Sequence, residues 1–165
     1  KAAAQEYGLE VNEQVDERYH IEKSTQAACD YLNKAKRSTG SWTMAAAAYN
    51  AGVSGMKKQA EFQQTDNYYE LWLNNETYRY VFRILAVKEI MKHPRKYGFI
   101  FEKKHLYNEL PTYNVMVDTP IENLTDFAKS HNVSYKELKI YNPWLRDKKL
   151  DNKDSKVYYI RIPKK

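Results

Sequence analysis

The chain has 165 residues, a formal net charge of +6, 42% apolar residues and a single cysteine. That length allows one or two small domains, and the lone Cys29 excludes an intrachain disulfide. No apolar run reaches the roughly 18 residues a membrane-spanning helix needs, and Lys and Arg are scattered beside acids, so neither a transmembrane span nor a nucleic-acid partner is expected.

Residues 2–7 read as the last turns of a helix stopped by Gly8. Leu9 to Ile21 has no helical period and reads as an ordered loop, its Asp16-Glu17-Arg18 cluster a surface ion-pair network. Ser24 is predicted to cap a helix over about 25–38 with Ala28, Tyr31, Leu32 and Ala35 on one face, and Cys29 inside it to be a buried thiol. Ser41 is predicted to cap the next helix, which carries the run Ala45-Ala46-Ala47-Ala48-Tyr49-Asn50-Ala51-Gly52. Alanines favour helix and leave little bulk, so a neighbouring backbone can approach closely. Gly52 then supplies the left-handed stop. Tyr49 and Asn50 are left at the rim, a phenol and an amide suited to the hydroxyls and N-acetyl group of a sugar.

Val53-Ser54-Gly55 reads as a turn before a polar helix over 56–64. Asp66 is expected to cap a short helix with Tyr68, Tyr69, Leu71 and Trp72, and Asn75 to cap the longest helix, about 76–92. There Val81, Ile84, Leu85, Lys88 and Met91 form a stripe at helical spacing. His93-Pro94 stops it. Residues 102–112 are charged and irregular, a linker. Tyr113 to Val117 alternates as a strand. Thr119 with Pro120 is expected to open a helix carrying Leu124, Phe127 and Ala128, and Asn132 to make a turn. Ser134 and Glu137 form a capping box for a second short helix ended by Asn142-Pro143. Val157 to Ile162 is a second strand.

Several ordered motifs extend this reading: Tyr7-Gly8-Leu9, Val15-Asp16-Glu17-Arg18, Ser24-Thr25-Gln26-Ala27-Ala28, Trp42, Ala48-Tyr49-Asn50-Ala51-Gly52, Glu76-Thr77 with Tyr80-Val81, and Pro94 with Tyr97-Gly98-Phe99. The series, over roughly residues 1–100, resembles the catalytic domain of lytic murein transglycosylases. The C-terminal strand–helix–helix–strand resembles a LysM module through Tyr113 with Val115, Leu124, Phe127-Ala128, Val133-Ser134, Leu138, Asn142-Pro143 and Ile162-Pro163. It departs from that pattern where the usual Gly-Asp-Thr-Leu turn, which helps line the family's glycan groove, is replaced by the longer Asp118-Thr119-Pro120-Ile121-Glu122-Asn123-Leu124. Glycan binding and a purely structural, docked module both stay open. The expected fold class is therefore α+β: a mainly helical, partial lysozyme-like domain (1–101), a linker (102–112) and a small βααβ LysM-like domain (113–163).

The first resemblance implies peptidoglycan glycan strands as substrate. The family cuts between N-acetylmuramic acid and N-acetylglucosamine with one carboxylic acid of raised pKa, which protonates the leaving oxygen and then takes the C6 hydroxyl proton, closing a 1,6-anhydro ring. The substrate's N-acetyl group can assist, unlike the two-carboxylate glycosidases. That acid is a Glu in a Glu-Ser pair preceding Tyr-Gly-Leu. No Glu-Ser pair occurs here, and Tyr7-Gly8-Leu9 stands at the start. The catalytic Glu is thus expected upstream of Lys1, no catalytic residue is assigned, and the chain alone is expected to be inert. The resemblance carries over Tyr49, Asn50, Glu76 and Tyr80 as sugar-contacting residues; without it, Glu76 reads as an ordinary first-turn acid and Tyr80 as a half-buried core tyrosine.

No metal or cofactor is expected: His20, His93, His105 and His131 stand far apart and form no metal-ligand spacing. The cell envelope, at the periplasm or the periplasmic face of the outer membrane, is the implied location. Membrane attachment is expected only through a segment upstream, the chain start inside a helix implying a fragment or processed product. An exposed cleft wall would offer a surface for self-association. The alternative function is a non-catalytic peptidoglycan-binding module.

Overall fold

The structure, a computed structural model, describes residues 2–164. They form seven α-helices and one two-stranded antiparallel sheet, an α+β arrangement that is mostly helical, as the sequence predicts. The chain divides into two compact units, and the division does not follow the chain linearly. One unit joins residues 1–27 to 108–165; the other is the continuous stretch 28–107.

The first unit is built on the strand–helix–helix–strand module. β1 (Thr112–Val117) pairs antiparallel with β2 (Tyr158–Pro163), with Val115 opposite Ile160. Alternation along β2 buries Tyr158, Ile160 and Ile162 while Tyr159 stays exposed, the pattern of a sheet with one covered face. Two short helices, α6 (Leu124–Ser130) and α7 (Tyr135–Tyr141), complete the module. Leu124, Ala128, Leu138, Leu145 and Leu150 join the strand residues in one core. The capping box is present as expected: the Ser134 hydroxyl accepts from the Glu137 N–H, and the Glu137 carboxylate accepts from the Ser134 N–H.

Asn142 does more than end α7. Its fully buried amide donates to the carbonyls of Arg161 (2.7 Å) and Leu138 (2.9 Å) and accepts from the Arg161 N–H (2.8 Å), tying helix end to strand. The opening of α6 differs from expectation. Thr119 and Pro120 do not start it; Ile121 instead exchanges backbone hydrogen bonds with Leu150, and Asn123 caps a helix beginning at Leu124. A strand-like pairing with a distant partner outweighed the local Pro signal.

The N-terminal segment is part of this core. After α1 (Ala2–Glu6), stopped by Gly8 at φ 76°, Val15 bridges Leu145 and the Asp16 N–H donates to the Trp144 carbonyl at 2.8 Å. Val15 is 1% exposed, fully inside the module's core. The Asp16-Glu17-Arg18 cluster is consequently not the surface network expected: Asp16 and Glu17 are buried, Asp16 bidentate to Arg18 and Glu17 paired with Lys23. The Arg18 hydrogen bonds hold the Asp16 carboxyl below its usual range, against the opposing effect of burial.

α2 (Ile21–Thr39) contains the boundary between the units. It starts four residues earlier than the sequence reading, and Ser24 lies inside it with its hydroxyl on the Ile21 carbonyl. Cys29 is exposed rather than buried. Ala27 and Ala35 point inward, and a residue two positions from Ala27 is carried to the opposite side of a helix.

The second unit contains α3 (Trp42–Ala51), α4 (Val53–Gln63) and α5 (Asn75–Lys92). Ser41 caps α3 as expected. Val53-Ser54-Gly55 is the first turn of α4, not a separate turn. Asn67 rather than Asp66 caps a 3-10 turn, Tyr68–Glu70, and Asn74 rather than Asn75 caps α5. The core is Ala35, Met44, Ala45, Ala47, Ala48, Met56, Tyr68, Leu71 and Val81. Ala45, Ala47 and Ala48 are completely buried where α3 packs on α4 and α5, so the close approach predicted from the alanine run is realised. The expected α5 stripe is not a core stripe. Thr77 and Val81 are buried, whereas Ile84, Leu85 and Met91 are exposed.

Candidate functional site

The end of α3 and the first turn of α5 meet through side chains. Gly52, at φ 79°, terminates α3, which leaves Tyr49 and Asn50 in its last turn. Asn50 Nδ2 donates to a Glu76 carboxylate oxygen at 3.1 Å, and Asn50 Oδ1 accepts from the Thr77 hydroxyl at 2.9 Å. Asn50 thus reads both the exposed acid and the buried hydroxyl of one helix turn.

That turn is fixed from three directions. Asn74 accepts from the Thr77 N–H at 2.9 Å. The hydroxyl of buried Tyr68 lies 3.0 Å from the Thr77 carbonyl and also reaches the Tyr78 carbonyl. Burial pushes the Tyr68 phenol up, so it stays protonated and remains a donor. Glu76 sits where the amino-terminal end of the helix dipole favours negative charge.

Tyr49 is about half exposed, and its ring meets Tyr31 edge-on at 5.5 Å. The Tyr31 hydroxyl donates to the Ala48 carbonyl at 2.8 Å, placing a second phenol behind Tyr49. Tyr80 lies one turn beyond Glu76, and the two line a single groove along α5 with Arg83, Ile84 and Val87. The four residues singled out in the sequence are therefore distributed over one contiguous unit, with Asn50 and Glu76 in direct contact and Glu76 and Tyr80 sharing a groove. Thr77, Tyr68 and Tyr31 were not assigned roles from sequence. The Glu76-Thr77 pair was the available signal for the first; the other two act through contacts that only the fold creates.

Chemically, the arrangement offers a carboxylate, phenols and a partly satisfied amide beside an apolar groove, groups that can exchange hydrogen bonds with a polyhydroxylated ligand. Among the described residues no group of His, Cys, Asp and Glu could hold a metal ion, and no helix is long and apolar enough to cross a membrane.

Comparison with known proteins defines the class first. Residues 1–71 match the transglycosylase SLT domain, and residues 113–165 match the soluble lytic transglycosylase C-terminal LysM-like domain. The chain is thus similar over its first part to a transglycosylase domain and over its last to a LysM-like domain, and is related to the lytic transglycosylases. Among individual proteins it is homologous to the membrane-bound lytic murein transglycosylase D of Escherichia coli K12, at 29% identity over 172 aligned residues, covering 96% of this chain and 35% of the relative. The protein of the same name from E. coli O6:H1 matches to the same extent. The chain therefore spans about a third of the length of the curated relatives it matches.

Proposed function

We propose that this chain is part of a peptidoglycan-processing lytic transglycosylase of the cell envelope, in which the helical unit provides a glycan-holding wall. Tyr49, Asn50, Glu76 and Tyr80 contact the sugars, and the reaction served is cleavage between N-acetylmuramic acid and N-acetylglucosamine with closure of a 1,6-anhydro ring. The observation that carries this reading is the Asn50–Glu76–Thr77 contact, which sets an amide and a carboxylate side by side at the groove that Tyr80 lines. Glu76 serves as a hydrogen-bond acceptor for sugar hydroxyls, not as the acid. None of these residues forms a Glu-Ser pair, so the 165 residues alone bind murein without cutting it.

Co-sedimentation with purified murein sacculi, followed by mass spectrometry of the soluble products, tests both parts. Pelleting that Asn50→Ala and Glu76→Gln each weaken, with no anhydro-muropeptides released, is the expected result. Release of anhydro-muropeptides would overturn the assignment of Glu76 and require a general acid among these residues. Pelleting unchanged in both variants, but lost on removing residues 112–165, would favour the alternative of a binding module acting through the LysM-like domain alone.

The exposed Ile84, Leu85 and Met91 on α5 favour a further element of this reading, self-association through the same wall. Light scattering over a concentration series should show a rising mass; a monomer throughout would remove it.

A further inference from the structure

The stretch after α5, residues 92–107, departs from the rest of the chain in charge. It sets five basic residues, Lys92, Arg95, Lys96, Lys103 and Lys104, against one acid, Glu102, and so holds two thirds of the chain's net charge of +6. Between the two basic groups stands the apolar run Phe99-Ile100-Phe101. We propose that this segment is a docking surface for a lipid membrane with anionic headgroups, the Phe99-Ile100-Phe101 tip entering the interface and the flanking cations meeting the headgroups.

Three observations carry it. The first is apolar surface without cover. Every residue from 95 to 107 is exposed, Tyr97, Leu106 and Tyr107 among them. Ile100 is 77% exposed and stands between two exposed phenylalanines. Three consecutive large apolar side chains are costly to leave in water, and no described residue of the helical unit buries them. The boundary between headgroups and acyl chains takes up apolar surface of this kind.

The second is a held shape. Before the tip, the Lys96 N–H donates to the His93 carbonyl and the Phe99 N–H to the Pro94 carbonyl, each at 3.0 Å, and Gly98 at φ 82° makes the reversal. After it, the His105 N–H donates to the Glu102 carbonyl at 2.9 Å, the Leu106 N–H to the Lys103 carbonyl at 3.1 Å, and the Glu102 N–H to His105 Nδ1 at 3.1 Å. Two turns with internally paired backbone groups thus bracket the tip. Paired groups lose little when water is displaced at the headgroup level, so less desolvation opposes docking.

The third is unspent charge. Arg95 and Lys96 lie on the first turn, Lys103 and Lys104 on the second. Lys96 pairs with Glu89 of α5 at 3.3 Å and Lys104 with Glu102 at 2.9 Å, whereas Lys92, Arg95 and Lys103 have no ion pair among the described residues. Each such cation near an anionic bilayer strengthens binding about fivefold. Tyr97, with the Lys96 ammonium 5.3 Å from its ring centre, and Tyr107 are aromatic residues of the type that settle at headgroup depth. An acidic polymer would engage the cations and leave the apolar tip in water; a lipid interface uses both. The surface is separate from Tyr49, Asn50, Glu76 and Tyr80, and it does not depend on the glycan-holding wall.

The test is flotation of the 165-residue chain with vesicles of phosphatidylcholine alone and of phosphatidylcholine with about a third phosphatidylglycerol. The expected result is flotation with the anionic vesicles only, weakened by raising the salt to about 0.5 M. Binding should be about fivefold weaker in Lys103→Gln and at least about tenfold weaker in Ile100→Asp. Both side chains are exposed, and an unchanged circular dichroism spectrum confirms that the variants fold. Equal flotation with both vesicle types, flotation unchanged in both variants, or no flotation would overturn the proposal. A concentration-dependent mass lost in Ile100→Asp without vesicle binding would give the tip to a second copy of the chain and overturn it as well. Murein pelleting should be unchanged in both variants, so a failed flotation leaves the proposed function standing. Its loss in both, with no flotation, would assign the segment to the anionic polymer and overturn the membrane.

Discussion

The two units solve the packing problem in opposite ways. The unit containing the βααβ module fills its core with large branched and aromatic side chains: Leu124, Leu138, Leu145, Trp144, Ile160 and Ile162. The helical unit brings backbones together over Ala35, Ala45, Ala47 and Ala48, with few large residues, Met44, Met56 and Tyr68 among them, to close the gaps. The first core depends on volume being present and the second on volume being absent. Both units leave apolar side chains exposed, the first Ile21, Met116 and Ile140 among them, the second Ile84, Leu85, Val87 and Met91 along the single helix α5. The two cores therefore answer mutation differently, one to volume removed and the other to volume added.

That contrast is open to mutation. Ile160→Ala should remove about 3–5 kcal/mol from the first unit by leaving a cavity, seen as an earlier denaturant midpoint of Trp144 fluorescence. Asn142→Ala should cost about 3 kcal/mol there, since it strips partners from both the N–H and the carbonyl of Arg161. In the helical unit the damaging change is an addition. Ala47→Leu should cost about 1–3 kcal/mol by overpacking, read as lost helical circular dichroism on heating. If Ala47→Leu is neutral, or Ile160→Ala is, the contrast between the cores fails. Ser41→Ala, which removes the α3 cap, should cost about 1 kcal/mol. Val87→Ser should stay within about 0.5 kcal/mol, and a larger loss would mean that the α5 face is covered in solution.

Acid should distinguish the units too. His20 has a folded pKa held below its ordinary 6.5 by burial, so the unfolded chain binds the proton more readily. Stability of the first unit should therefore fall as pH drops through 6.5 toward the lowered folded value. Asp16 adds a second loss. Its folded pKa lies below 3.8, so its contribution is present above that value and disappears as pH falls through the folded one. His20→Gln should flatten the first decline in a pH series of thermal midpoints and leave the second.

Most of the fold was legible because local signals agreed with it. The alternation of Tyr158 to Ile162, the Ser134–Glu137 capping box, the Ser41 cap and the alanine run before Gly52 each act within a few residues. What failed to read correctly was set at long range. The helix expected at Thr119-Pro120 gave way to the Ile121–Leu150 bridge, and the Asp16-Glu17 pair was buried by Trp144 and Leu145, partners far along the chain. The exposure of Cys29 followed from where α2 actually begins and which side it turns inward. At the candidate site, residue types and the Glu76-Thr77 spacing were readable, but the Asn50 contact that joins α3 to α5 was not, because nothing in either segment names the other.

The pairing of Val15 with Leu145 and of Gln14 with Asp151 has one more consequence. Since residues 9–23 belong to the same folded body as residues 112–163, everything between them is an insertion tethered at both ends. A single protease cut at the exposed Leu106 or Tyr107 should therefore yield two peptides that still elute together and separate only in denaturant. Topologically the chain is a clasp, closed by its own two ends.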